Sequence, residues 1–168
     1  MKRYLALGAA VTALAVPAGA FAAGTPNASS LAAQSCKAQE TAMGATLFRQ
    51  TYGGGANAYG KCVSKANRAA QANLQNAAEQ CKAEETATGT AAFDAKYAPN
   101  AKANGNGAGA DAYGKCVSQK AQAKNAQQTQ ATVNAAKACK ALLAANKASF
   151  TSTYHTFGAC VSQKAKSS

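Results

Sequence analysis

Six cysteines are the residues of this chain with the clearest chemistry, and their spacing says which chemistry it is. Cys36, Cys81 and Cys139 each open a Cys-Lys-Ala block. Cys62 and Cys116 lie in Ala-Tyr-Gly-Lys-Cys-Val-Ser at Ala58–Ser64 and Ala112–Ser118, and Cys160 in the variant Thr-Phe-Gly-Ala-Cys-Val-Ser at Thr156–Ser162. An even number of cysteines in a small exported chain forms a disulfide framework before anything else. No C-x-x-C occurs, so the dithiol and zinc-ribbon patterns are missing. The single histidine, His155, belongs to one copy only and reads as a solvated neighbour of aromatics. No metal and no cofactor is expected.

An enzyme needs a nucleophile beside a base, or two carboxylates held together. Glu40, Glu79, Glu84, Glu85, Asp94 and Asp111 do not recur in register. Ser64, Ser118 and Ser162 recur without a matching His or Asp, and read as hydrogen-bonding their own helix backbone. The expected catalytic set is empty.

Lysines do recur. Lys37, Lys82 and Lys140 follow the first cysteine of each pair, Lys61 and Lys115 precede the second, and Lys65, Lys120 and Lys164 come after it. These eight are the candidate anion-binding residues, one set per repeat. The alternative is that an inward-facing cysteine leaves its neighbours facing water, where lysine keeps a protein soluble. Beyond Arg3 the chain has sixteen basic and six acidic side chains, a net charge of +10, which attracts polyanions and anionic surfaces. Arg49 and Arg68 are the only arginines in that part, so specific nucleic-acid recognition is disfavoured.

Met1-Lys2-Arg3, an apolar run to Val16, and small residues ending Ala20-Phe21-Ala22 have the layout of a secretory signal peptide over residues 1–22. The run is too short to span a bilayer, and no later stretch is apolar enough to anchor the chain. A secreted or cell-envelope location follows, with residues 23–30 as a flexible lead-in. Past the signal, Leu, Val, Phe and Ile total only thirteen, in a chain crowded with alanine. Alanine favours helix but buries little area. The expected fold is all-α, a thin core held by covalent staples, with repeats at 31–66, 67–121 and 122–168 in one domain or an elongated array.

Eight, eight and seven residues past the first cysteine stand Gly44, Gly89 and Asn146, expected to end a helix in the left-handed conformation. Phe48 and Tyr52, Phe93 and Tyr97, Phe150 and Tyr154 follow at i, i+4, one face of a short helix. The interval to the next aromatic varies from two to fifteen residues, which marks a surface loop. The longest such loop runs from Pro99 to Asp111. From Lys61 to Gly89, and from Lys115 to about Ala145, no Gly or Pro interrupts the chain, so the second cysteine is expected to open a long Ala-rich helix, with a solvated polar stretch at Gln122–Gln130. On such helices Cys62 and Cys81 lie about 28 Å apart, and Cys116 and Cys139 about 34 Å. A disulfide needs Cα atoms within about 7 Å. Of the fifteen connectivities, repeat symmetry then favours Cys36–Cys62, Cys81–Cys116 and Cys139–Cys160.

The repeat resembles a cysteine motif of secreted bacterial proteins, Ala-Phe/Tyr-Gly-Lys-Cys-Val-Ser followed shortly by Lys-Ala, seen at Ala58–Ala66 and Ala112–Ala121. The third copy departs from it at Phe157 and Ala159. The resemblance implies export and brings neither an activity nor site residues. The expected function is that of an exported, non-catalytic cationic binding or structural protein, with anionic cell-envelope polymers as the candidate partners.

Overall fold

Runs of alanine and unbranched side chains free of Gly and Pro propagate helix, and the computed structural model is all-α across the residues it describes, 26–99 and 108–167. The helices are α1 Ala28–Met43, α2 Ala45–Thr51, α3 Ala58–Thr88, α4 Thr90–Tyr97, α5 Ala108–Ala145, α6 Lys147–Tyr154 and α7 Phe157–Lys166. The expected signal peptide, the first lead-in residues and the centre of the long loop lie outside the described residues. The rest of the lead-in is shorter than expected, because the Asn27 side chain accepts from the Ser30 backbone N–H at 2.8 Å and starts α1 at Ala28. The long helices also begin early. Cys62 is already one turn into α3, and α5 takes in Asp111, whose carboxylate suits a helix N-terminus and pairs with Lys115 at 2.5 Å.

The helix stops work differently from the left-handed caps expected of them. Gly44 (φ 77°, ψ 155°) and Gly89 (φ 81°, ψ 150°) each form a one-residue joint between helices, with positive φ but extended ψ, a region essentially closed to other residues. Asn146 is extended instead (φ −155°), and its side chain caps α6 by accepting from Ser149 N–H at 2.9 Å.

All three symmetric disulfides form, with Cα–Cα distances of 5.9, 6.0 and 6.1 Å. Every cysteine is 0% exposed, and among the described residues the other large side chains buried nearly as deeply are Phe48 and Phe93, at 1%. Each cystine sits in a cluster with the phenylalanine of its own repeat, and each phenylalanine meets its tyrosine at 4.8 to 5.2 Å between ring centres. The tyrosine hydroxyls tie the first two repeats down. Tyr59 and Tyr113 donate to the carbonyls of Ala33 and Ala78, three residues before a cysteine. Tyr52 donates to Gln39 and Tyr97 to Glu84, three residues after one. Burial pushes the Tyr52 phenol up to about 12, against the opposing pull of the Gln39 bond. Repeat three lacks both ties at once: Phe157 has no hydroxyl, and exposed Leu142 stands where Gln39 and Glu84 stand.

Helices α3 and α5, about 46 and 57 Å long, form an antiparallel spine with α1 packed against both. Because α3 runs away from Cys62 and α5 runs back, repeats one and three meet at one end. Leu47 of repeat one joins the cluster of Cys139, Phe150 and Cys160, and Lys65 reaches Ser162. Gly158 of α7 lies so close to α2 that a Cβ there would stand 2.8 Å from the Thr51 carbonyl oxygen. Repeat two, with Cys81–Cys116, occupies the far end.

The polar stretch of α5 is not simply a solvated face. Asn125 is buried, Asn73 of α3 donates to Gln128 at 2.9 Å, and Ser35 of α1 bonds Thr129. The bundle interior above and below these bonds is mainly alanine, with Leu31, Ala70, Ala77 and Ala121 in one cluster.

Reduction should therefore cost this protein most of its stability, since each bridge contributes roughly 3 to 4 kcal/mol by the chain-entropy estimate. Helical circular dichroism during a melt, with and without reductant, checks it, and an unchanged melting temperature would contradict it. Gly158→Ala should destabilise by about 1 to 3 kcal/mol through the overpacked α2–α7 contact. Gly60→Ala, which would meet only the flexible Asn57 side chain, is the comparison in a urea titration.

Candidate anion-binding end

Folding repeats one and three together segregates charge. The end they share carries Lys37, Arg49, Lys61, Lys65, Arg68, Lys137, Lys140, Lys147, Lys164 and Lys166 against the single carboxylate of Glu40. At the far end Glu79, Glu84, Glu85, Asp94 and Asp111 face Lys82, Lys96, Lys115 and Lys120. Among the described residues the net positive charge is therefore almost all at one end of the bundle.

The eight lysines singled out by repetition are thus split. Lys37, Lys61, Lys65 and Lys140 are exposed at the basic end, and Lys164 is half-buried there. At the far end Lys120 pairs with Glu84 at 3.0 Å and Lys115 with Asp111, while Lys82 is exposed. Nor are Lys65, Lys120 and Lys164 one repeated position. Lys65 stands three residues past its cysteine and the other two stand four, a rotation of about 100° around a helix. The true counterparts of Lys65 are Gln119 and Gln163.

Glu84 is the centre of the far end. Its carboxylate accepts from Lys96 at 2.6 Å, from Lys120 at 3.0 Å and from the Tyr97 hydroxyl at 3.0 Å. The Lys96 hydrogen bond, then that of Lys120, holds it down to about 2, and the Lys96 ammonium is raised in return, chiefly by Glu84. Sequence comparison of the repeats hides this, because Gln39 and Leu142 hold the equivalent sites.

On the basic side, a groove of about 470 Å³ follows the first three turns of α3 and is lined by Asn57, Gly60, Lys61, Ser64, Lys65 and Arg68. No carboxylate and no aromatic ring lines it. Lys65 Nζ donates to Ser162 Oγ of α7 at 2.8 Å. A serine–lysine pair acts as nucleophile and base only where the amine is desolvated, and Lys65 is exposed. Ser118 accepts from the Gln122 side chain at 2.9 Å, so these two serines serve side chains and not the helix backbone expected of them. Arg68 was not singled out by repetition; its signal is the i, i+4, i+7 series with Lys61 and Lys65 on one helix face.

Among the described residues no group of three or more His, Cys, Asp or Glu is placed to hold a metal, and no helix is long and apolar enough to cross a membrane. His155 is exposed and ends α6 at φ 59°. No family model matches the chain, and neither the curated proteins nor the solved structures offer a match.

Glu84, with its carboxyl held below its ordinary value, stabilises the fold fully above about pH 4.5 and loses that contribution as pH falls toward 2. The acid-induced drop in melting temperature over that window should shrink in Glu84→Gln, which starts lower at neutral pH. Parallel curves for the two proteins would remove Glu84 from the account.

Proposed function

We propose that this is an exported, non-catalytic protein of the cell envelope or extracellular space that binds anionic polymer through its basic end. The observation that carries this reading is the segregation of charge: ten cations stand against Glu40 at one end, while the lysines of the other are set among five carboxylates. A charge serving only solubility has no reason to collect at one end. Buried cystines suit an oxidising compartment, and the signal-like N-terminus supplies a route to it. The exposed amine of Lys65 and the absence of a repeated acid–base pair support a binding role over an enzymatic one. The second reading, a purely structural protein, is favoured by the covalently stapled bundle itself.

Binding to an anionic polymer should weaken steeply as salt rises, through counterion release. Lys61, Lys65 and Lys140 changed together to Gln should lower affinity at about 150 mM salt by roughly tenfold, and Lys82, Lys115 and Lys124 changed together by less than threefold, although net charge falls equally. Fluorescence anisotropy against a labelled polyphosphate over a salt series measures both. Equal losses would leave net charge as the cause, and no binding by the parent protein would favour the structural reading.

A further inference from the structure

We propose that the α3 groove is a site for phosphate groups carried on a polyol backbone, a refinement that rests on the anionic-polymer reading above. Lys61, Lys65 and Arg68 present three cations over about 10 Å of helix, and no carboxylate lines the groove to neutralise them. This is unlike repeat two, where Lys96 and Lys120 are both spent on Glu84. One of the three is fixed in place, because Ser162 of α7 holds the Lys65 amine at 2.8 Å across the junction of two repeats. A cation held this way loses less side-chain freedom on binding than a free one.

The uncharged lining decides the chemistry further. Asn57 is the N-cap of α3, yet its side chain makes no capping hydrogen bond, whereas Asn27 and Asn146 both cap theirs. Its amide lies over Gly60, whose missing side chain leaves the groove open: a Cβ there would stand 2.6 Å from Asn57 Oδ1. The Asn57 amide and the Ser64 hydroxyl are thus donors and acceptors facing the groove, suited to alcohol groups between phosphates. A single-stranded nucleic acid would ask for an aromatic platform on which bases stack, and a lipid tail for apolar walls; the groove has neither. Phosphates beside Lys61 would also face the amino end of α3, where the helix dipole favours negative charge.

The test uses the full disulfide-bonded protein at about 150 mM salt, with labelled oligo(glycerol phosphate) and an oligo(dT) of equal phosphate number as probes. Lys61→Gln with Arg68→Gln should weaken the glycerol phosphate oligomer at least tenfold, and Lys137→Gln with Lys147→Gln, at the same end outside the groove, no more than threefold. Each pair removes two charges from exposed positions, and circular dichroism confirms that both variants stay folded. The parent protein should prefer the glycerol phosphate oligomer over oligo(dT) at least fivefold, and Asn57→Ala should reduce that preference. Equal losses from the two pairs would overturn the groove while leaving the basic end as the binding surface. Equal or tighter binding of oligo(dT) would overturn the polyol backbone. Failure of the parent protein to bind either probe would overturn the anionic-polymer reading as well.

Discussion

The bundle depends on three cystines buried where helices cross. Alanine gives helix with no side-chain entropy cost but removes little apolar area from water, so a bundle whose central contacts are Leu31 with Ala70, Ala77 and Ala121 has little to hold its helices in place. A cystine supplies both what is missing: a buried volume comparable with a large side chain, and a covalent limit on the unfolded chain. Phe48, Phe93 and Phe150 pack on these bridges and not on an independent core. The core is thus three local knots joined by alanine-faced helices.

Between the knots, register is set by polar atoms. The Asn73–Gln128 and Ser35–Thr129 bonds join three helices at a level where apolar contacts are small and interchangeable. An alanine face alone would tolerate a slip along the axis; the Asn73–Gln128 pair resists one, because a slip would leave the buried Asn73 amide without its partner. The tyrosines do the same work at the knots, through Tyr59 to Ala33 and Tyr113 to Ala78. In repeat three the loss of the Phe157 hydroxyl coincides with a leucine in place of the side-chain acceptor, and with close packing against repeat one at Gly158. Contact between repeats takes the place there of hydrogen bonds within one.

What could be read from the sequence was whatever depends on distance along the chain. The pairing of Cys36 with Cys62 takes two steps: helix rise turns the uninterrupted stretch between Cys62 and Cys81 into a length no disulfide spans, and repeat symmetry selects among the connectivities that remain. The Phe–Tyr faces follow from their four-residue spacing. Gln122–Gln130 was opaque because an amide that faces a neighbouring amide has the same pattern as one that faces water. The joints at Gly44 and Gly89 were placed correctly, but their ψ is set by the direction in which the next helix leaves. The lysines misled for a related reason: repetition makes Lys61 and Lys115 equivalent, yet Asp111 stands four residues before Lys115 where Asn57 precedes Lys61, and the fold-back of α5 gives Lys61 alone a basic neighbourhood. Glu84 could not be found by comparing copies, since it belongs to one copy alone.

The fold-back also introduces parity. A repeat in this architecture has no free choice of neighbours: odd-numbered copies fall at one end and even-numbered copies at the other, because each connecting helix crosses the whole bundle. With three copies the ends are unequal by construction, two knots against one. The one even copy therefore sets the character of a whole end, as the carboxylates of repeat two do, while the other end takes its character from two copies together. A fourth copy added after α7 would lengthen that helix and set its cystine beside Cys81–Cys116, which would remove the inequality between the ends.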